Sequence, residues 1–239
     1  MPRTCSRDPY RKRWWPWDQQ SRNQLLAFLL WLTSKYRWHL QTYMRAVSLL
    51  DRVAMHALRP AHVPTLEYHR FLLALAAMSL AYKFEEGCPT ECRWIPQQAG
   101  HTEVAAGRLW THLVPDFNAC LQASPPLTNR QASEAEAALM NALDWDLHYD
   151  TPLHAALRVV DTRHHRQLFG LHLLLRTLTF LTVPQLDTLG LVQQLLAGQT
   201  AHPDLQHVQA WLALPLPHPV LRMERHYLRL HFPCLFASQ

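Results

Sequence analysis

The chain has 239 residues, 49% of them apolar and 17% charged, which is enough to bury a core and excludes a globally disordered protein. Only 6 glycines occur, which argues against a Gly-rich phosphate loop or a turn-dense β-sandwich, and the abundance of Leu and Ala favours helices. The net charge of +5 is mild and lies largely in the first 25 residues; a nucleic-acid binder usually carries a denser basic stripe, and this balance suits an acidic protein partner equally well.

Met1–Gln20 is a basic arm in which Trp14, Trp15 and Trp17 stand beside Arg11, Lys12 and Arg13. It reads either as an irregular segment that packs its rings on the domain or as a partner-docking or nuclear-targeting segment. Ser21–Trp38 is expected to be a helix, because Leu25, Leu26, Phe28, Leu29, Leu32 and Tyr36 share one face at helical spacing. Thr42–Leu58 is a second, with Met44, Val47, Leu50, Val53, Ala54 and Ala57 inward, ended by Pro60 and Pro64. Thr65–Glu86 is a third. It is apolar or small on every side from Phe71 to Tyr82, so other helices must surround it. Polarity returns at Lys83, Glu85 and Glu86, and Gly87 and Pro89 end it.

Cys88–Arg130 reads as a long, partly ordered excursion with a short helix at Glu103–Leu113. Gln131–Asp144 returns to helix, followed by Trp145–Leu147 and by Thr151-Pro152, which opens the next element. Helices are then expected near Leu153–Val160, His165–Thr182, Val183–Ala197, Pro203–Ala213 and Pro219–His231. The expected fold is therefore all-α.

Cys5, Cys88, Cys92, Cys120 and Cys234 are an odd set, and Met1–Gln20 has no apolar secretory core, so free thiols in a reducing compartment are expected. Cys88 and Cys92 have no second Cys or His pair at zinc-ligand spacing, and the sixteen histidines form no ligand set, so neither metal nor cofactor is expected. The longest apolar run, Phe71–Tyr82, is well short of the ~20 residues that span a bilayer.

Four segments, in order, resemble the cyclin family. Ala46-Val-Ser-Leu-Leu-Asp-Arg52 is similar to "A-V-x-L-L-D-R-F". Leu80-Ala-Tyr-Lys-Phe-Glu-Glu86 is similar to "L-A-S-K-F-E-E", with Pro89 following. Glu136–Leu147 resembles "E-x-x-x-L-x-x-L-x-(F/W)-x-L", and Tyr149-Asp-Thr-Pro152 resembles the "x-P-T-P" that leads to a second box. The resemblance implies a cyclin box over 21–151, a five-helix bundle around a central apolar helix, carrying a long insert near 88–130. A shortened or diverged second helical domain would occupy 152–239. It also implies an atypical or virus-encoded member.

The resemblance further implies a regulatory subunit that holds the mobile helix of a cyclin-dependent kinase in the active position, completing a Lys–Glu pair in the kinase. Lys83 and Glu136 match the charged positions that bond main-chain groups of that helix, and Leu80, Phe84, Met140, Trp145 and Leu147 match the apolar positions that grip it. A Lys donates to free carbonyls and a Glu accepts from free amides. The plainer alternatives are an ordinary surface pair worth under ~1 kcal/mol and ordinary core residues. Such a protein would act in cell division, in the nucleus and/or the cytoplasm.

Two departures matter. The family's docking groove for R-x-L peptides opens "M-R-A-I-L-x-x-W"; here the stretch is Gln24–Trp31, with Gln24 and Leu25 in the Met and Arg places and Phe71 where a Gln would line the groove. The resemblance thus places a degenerate groove at Gln24, Trp31 and Phe71, expected to bind R-x-L peptides weakly or not at all. The family's Arg normally pairs with the Asp of "L-L-D-R", so Asp51 needs another partner, Arg22 or Arg45, because a buried unpaired Asp is expensive. The competing function is a cyclin-fold scaffold or transcription-factor-like module that binds other proteins or nucleic acid without a kinase. No nucleophile elbow, metal-ligand helix, P-loop or dinucleotide fingerprint is present, so catalysis is not expected.

Overall fold

The computed structural model describes residues 19–55, 67–86, 109–123, 125–148, 150–158, 160, 165–180, 188–199, 202–213, 225–226 and 228–236. The arm expected over Met1–Gln20 falls almost wholly outside these, as do Cys5, Cys88, Cys92, the 87–108 part of the expected insert, and Tyr149. All regular structure among the described residues is helical. The helices are α1 (Gln19–Tyr36), α2 (Leu40–Met55), α3 (Glu67–Glu85), α4 (Leu109–Leu121), α5 (Asn129–Ala142), α6 (Pro152–Leu157), α7 (His165–Thr179), α8 (Thr188–Leu196) and α9 (Leu205–Ala213). Residues 228–231 are also helical, and a 3-10 turn, Pro233–Phe236, follows. No helix among them is long and apolar enough to cross a membrane.

The centre of the bundle is α3, which α1, α2, α4 and α5 surround. Residues 72–82 are all buried. Ala74, Ala76, Ala77 and Ala81 carry only a methyl group, so α2 and α5 can come close to α3.

The stretch expected as a loose excursion contains a full packed helix. The short helix expected at Glu103–Leu113 is instead α4, which runs on to Leu121 through Pro115. An interior proline costs a helix ~3 kcal/mol. Here Leu109, Leu113, Val114 and Phe117 form one buried stripe that offsets it. At the end of α1, Lys35 and Tyr36 both reach Asp116, each at 2.5 Å, and so tie α4 to the bundle. Burial and that hydrogen bond push the Tyr36 hydroxyl well above its usual titration range. The side-chain amide of Asn118 accepts from the Leu127 N–H at 2.7 Å and donates to its carbonyl at 3.0 Å, pinning the entry to α5. Thr128 then caps α5: its Oγ1 accepts from Gln131 N–H, and Gln131 Oε1 accepts from Thr128 N–H at 3.0 Å.

Helix ends use glycine sparingly. The α8 exit has Gly198 at φ 71°, with Gln199 N–H bonded back to Gln194 C=O at 2.8 Å. The same pattern closes α1 with Arg37 at φ 55° and α5 with Asp144 at φ 52°. Trp145 follows at φ 60°, a left-handed conformation that is uncommon for a bulky side chain.

Arg22 answers the question about Asp51. It is 1% exposed and donates to both Asp51 carboxylate oxygens, at 2.9 and 3.3 Å. Its third bond, 2.6 Å, goes to the Thr179 carbonyl at the end of α7. Tyr43 and Thr179 join their hydroxyls at 3.0 Å, and Arg176 lies 5.9 Å from the Tyr43 ring centre. These contacts seat α7 on α2. Burial raises the Asp51 carboxyl above its ordinary range, and Arg22 opposes the rise.

Candidate functional site

The site is built where the C-terminal end of α3 meets α2, α5 and the turn after α5. Lys83 lies in the last turn of α3, and Glu136 lies midway along α5. Their side chains form an ion pair, with Lys83 35% exposed and Glu136 15% exposed. The second carboxylate oxygen of Glu136 accepts from the Ser79 hydroxyl at 2.5 Å. The ammonium also lies 5.8 Å from the centre of the Trp110 ring, which α4 supplies.

Behind this pair, α2 clamps the chain that leaves α5. Arg45 ion-pairs with Glu85, donates to the Leu147 carbonyl at 2.6 Å, and lays its guanidinium 4.1 Å from the centre of the Phe84 ring. One heptad on, Arg52 donates to the Asp146 carbonyl at 2.8 Å and to its carboxylate at 3.1 Å. Phe84 meets His148 edge to face at 5.1 Å. Glu86 caps the start of α2, accepting from His39 N–H at 2.8 Å and from Thr42 Oγ1 at 2.7 Å. The Asp146 and Leu147 carbonyls are thus each held by an arginine of α2, and Arg45 is itself held by Glu85.

The result at the surface is Trp145. The left-handed turn throws its indole outward, 65% exposed, and its Nε1–H donates to Asn141 Oδ1 at 3.0 Å. Met140 and Leu147 are half-buried against the core. Phe84 is likewise half-buried. Six of the seven residues singled out in the sequence (Lys83, Glu136, Phe84, Met140, Trp145 and Leu147) therefore keep some surface around one region. Leu80 differs: it is 5% exposed and belongs to the core, where it supports the face from below.

The degenerate groove is a different place. Gln24 is exposed, while Trp31 and Phe71 are half-buried. Phe28 draws both rings inward, at 6.0 Å from Trp31 and 5.5 Å from Phe71, and Lys35 lies 5.3 Å from the Trp31 ring centre.

The sequence also holds residues of this site that spacing alone did not single out. Ser79 stands four residues before Lys83, so helical geometry puts both on one face; its hydroxyl was masked by the apolar run around it. Glu85 and Glu86, where polarity returns at the end of α3, are largely buried and paired. Arg45 and Arg52 are seven apart, hence on one face of α2, which was the available signal. Among the described residues no group of three His, Cys, Asp or Glu comes together as a metal site would require. Cys120 and Cys234 are free thiols.

The family model described as "Cyclin, N-terminal domain" matches residues 6–148, more than half of the chain. No curated protein matches it.

Proposed function

This chain belongs to the cyclin family, and on that premise we propose that it is a regulatory subunit that binds and activates a cyclin-dependent protein kinase. One observation carries the reading. A partly exposed Lys83–Glu136 pair joins the end of α3 to α5, and the turn that leaves α5 carries an outward Trp145, with Arg45 and Arg52 bonded to the next two carbonyls. A charge pair left partly open, together with an exposed aromatic, suits a partner that brings both free main-chain groups and an apolar stripe. The end of a helix has these features. Lys83 would donate to its carbonyls and Glu136 would accept from its amides. Trp145, Met140, Phe84 and Leu147 would bury its side chains. A kinase helix held this way is fixed in the active position, so the chemistry belongs to the kinase and none to this chain. With this role go cell-cycle control and a place in the nucleus and/or the cytoplasm.

The experiment is a pull-down of cyclin-dependent kinases by the purified chain, followed by a kinase assay on the eluate. A Lys83→Ala/Glu136→Ala double variant is the control. Capture of an active kinase by the wild type and not by the double variant supports the proposal. Equal capture by both removes this face from the interaction. If the wild type retains no kinase, the scaffold or nucleic-acid reading replaces it.

A further inference from the structure

We infer that Ser79 is a positioning residue of the partner-binding face, holding the Glu136 carboxylate in the orientation in which it receives main-chain N–H groups. This rests on the reading of the Lys83–Glu136 face as the kinase-binding surface. Ser79 is fully buried, in the middle of a helix that is otherwise apolar on that turn. A serine there ordinarily returns its proton to the carbonyl one turn back. Its hydroxyl instead lies 2.5 Å from Glu136 Oε2. An ionised carboxylate only accepts, so the serine proton points at Glu136 and is committed to it.

The consequence concerns which atoms remain for a partner. Lys83 holds Oε1 and Ser79 holds Oε2. Each carboxylate oxygen has two acceptor directions, so both oxygens keep one open after these bonds. Lys83 is on a flexible stem and 35% exposed, and it must turn toward a partner carbonyl when one arrives. Ser79 is on a short stem in the core and cannot follow. It is the fixed end of the arrangement, and it keeps Glu136 in place at the moment when Lys83 shares its donors. Without it, Glu136 would gain rotamers that binding then has to remove.

The full chain with Ser79→Ala tests this in two ways. Carbon-13 relaxation of the Glu136 side chain, assigned by its loss in Glu136→Ala, is expected to show a more mobile carboxylate in the variant. Affinity for the cyclin-dependent kinase that the wild type retains is expected to fall about tenfold, the size of one lost hydrogen bond to a charged group. Introducing Ser79→Ala into Glu136→Ala is expected to change that affinity by less than about twofold, because the anchor then has nothing to hold. An unchanged Glu136 order in Ser79→Ala overturns the inference, as does an equal affinity loss in both backgrounds, which would mark Ser79 as a packing residue only. If the wild type captures no kinase, the proposed function falls, and the relaxation measurement alone decides whether Ser79 holds Glu136. Should Ser79→Ala fail to fold, Ser79→Cys, close in size but a much weaker donor, carries the same comparison.

Discussion

Of the ion pairs that join helices among the described residues, Arg22–Asp51 and Lys83–Glu136 are reached by water differently. Arg22 is 1% exposed and reaches Asp51 and the Thr179 carbonyl, so a single guanidinium connects α1, α2 and α7. Lys83 is 35% exposed and its partner Glu136 is anchored from one side only, by Ser79. The chemistry is the same, but the surroundings assign different work. In the first pair the directions in which Arg22 is seen to bond end inside the protein, which suits a structural joint. In the second, the cation and one side of the carboxylate face outward, which suits recognition. Residues on α3 that look equally conspicuous in the sequence divide along the same line: Leu80 is core, while Lys83 is half open.

The sharpest way to break this contrast is to cut each pair in turn. Asp51→Ala leaves Arg22 as a buried charge without its carboxylate, and should cost ~3–5 kcal/mol of stability, read as a large fall in the denaturant midpoint. Trp145→Ala should act in the opposite way. Truncating an exposed aromatic anchor is expected to weaken kinase binding by ~2 kcal/mol while stability stays within ~0.5 kcal/mol. A Trp145→Ala protein that unfolds, or an Asp51→Ala protein that does not lose stability, would erase the distinction.

Acid sharpens it further. His172 on α7 is held well below its ordinary titration range, by burial first and then by the nearby Arg176 and His39. The folded state therefore takes up this proton less readily than the unfolded state. The stability that neutral His172 contributes is complete above the ordinary histidine range of about 6.5 and is lost as pH falls below it, by up to ~1.4 kcal/mol per pH unit. Asp51 has the reverse sign: its carboxyl is raised by burial, so the proton linkage of this group does not add to the loss of stability in acid. The seat of α7 should thus weaken in mild acid through His172. Comparing the pH dependence of stability for wild type and His172→Gln checks this; parallel curves between pH 6.5 and 5 would remove His172 as the cause.

Most of the box was readable because its signals are local. Helical spacing in α1, α2 and α3 located the core faces, and an apolar-all-round α3 announced itself as central. What escaped was set by contacts distant in sequence. Gly100, Gly107, Pro115 and the Ser124–Leu127 turn suggested a loop, and burial of Leu113 and Phe117 against the bundle favours the helix α4. The turn after α5 was invisible because Asp144 and Trp145 take left-handed conformations without a glycine, and the chain just beyond them, at Asp146, is bonded by Arg52 of another helix. Glu85 and Glu86 are buried by α2 residues some forty positions away in sequence. Arg22 was one of two candidates for Asp51; the other, Arg45, is taken by Glu85.

The smallest expected effect is the most informative about the open pair. Lys83→Ala alone should change folding stability by less than ~1 kcal/mol, because solvent already screens a side chain that is 35% exposed and the lost Coulomb attraction is small. Glu136 would still have Ser79 on one oxygen and water on the other, so its charge is not stranded. The same substitution should nevertheless weaken kinase binding by ~2 kcal/mol or more, since the missing ammonium would have been covered by the partner and bonded there in a drier setting. A thermal melt and a binding titration on one variant measure both numbers. Comparable losses in the two would mean that Lys83 is a joint like Arg22. A melt close to wild type beside a large loss of affinity would mean that the pair is kept half open in the free chain because its second set of partners arrives with the kinase.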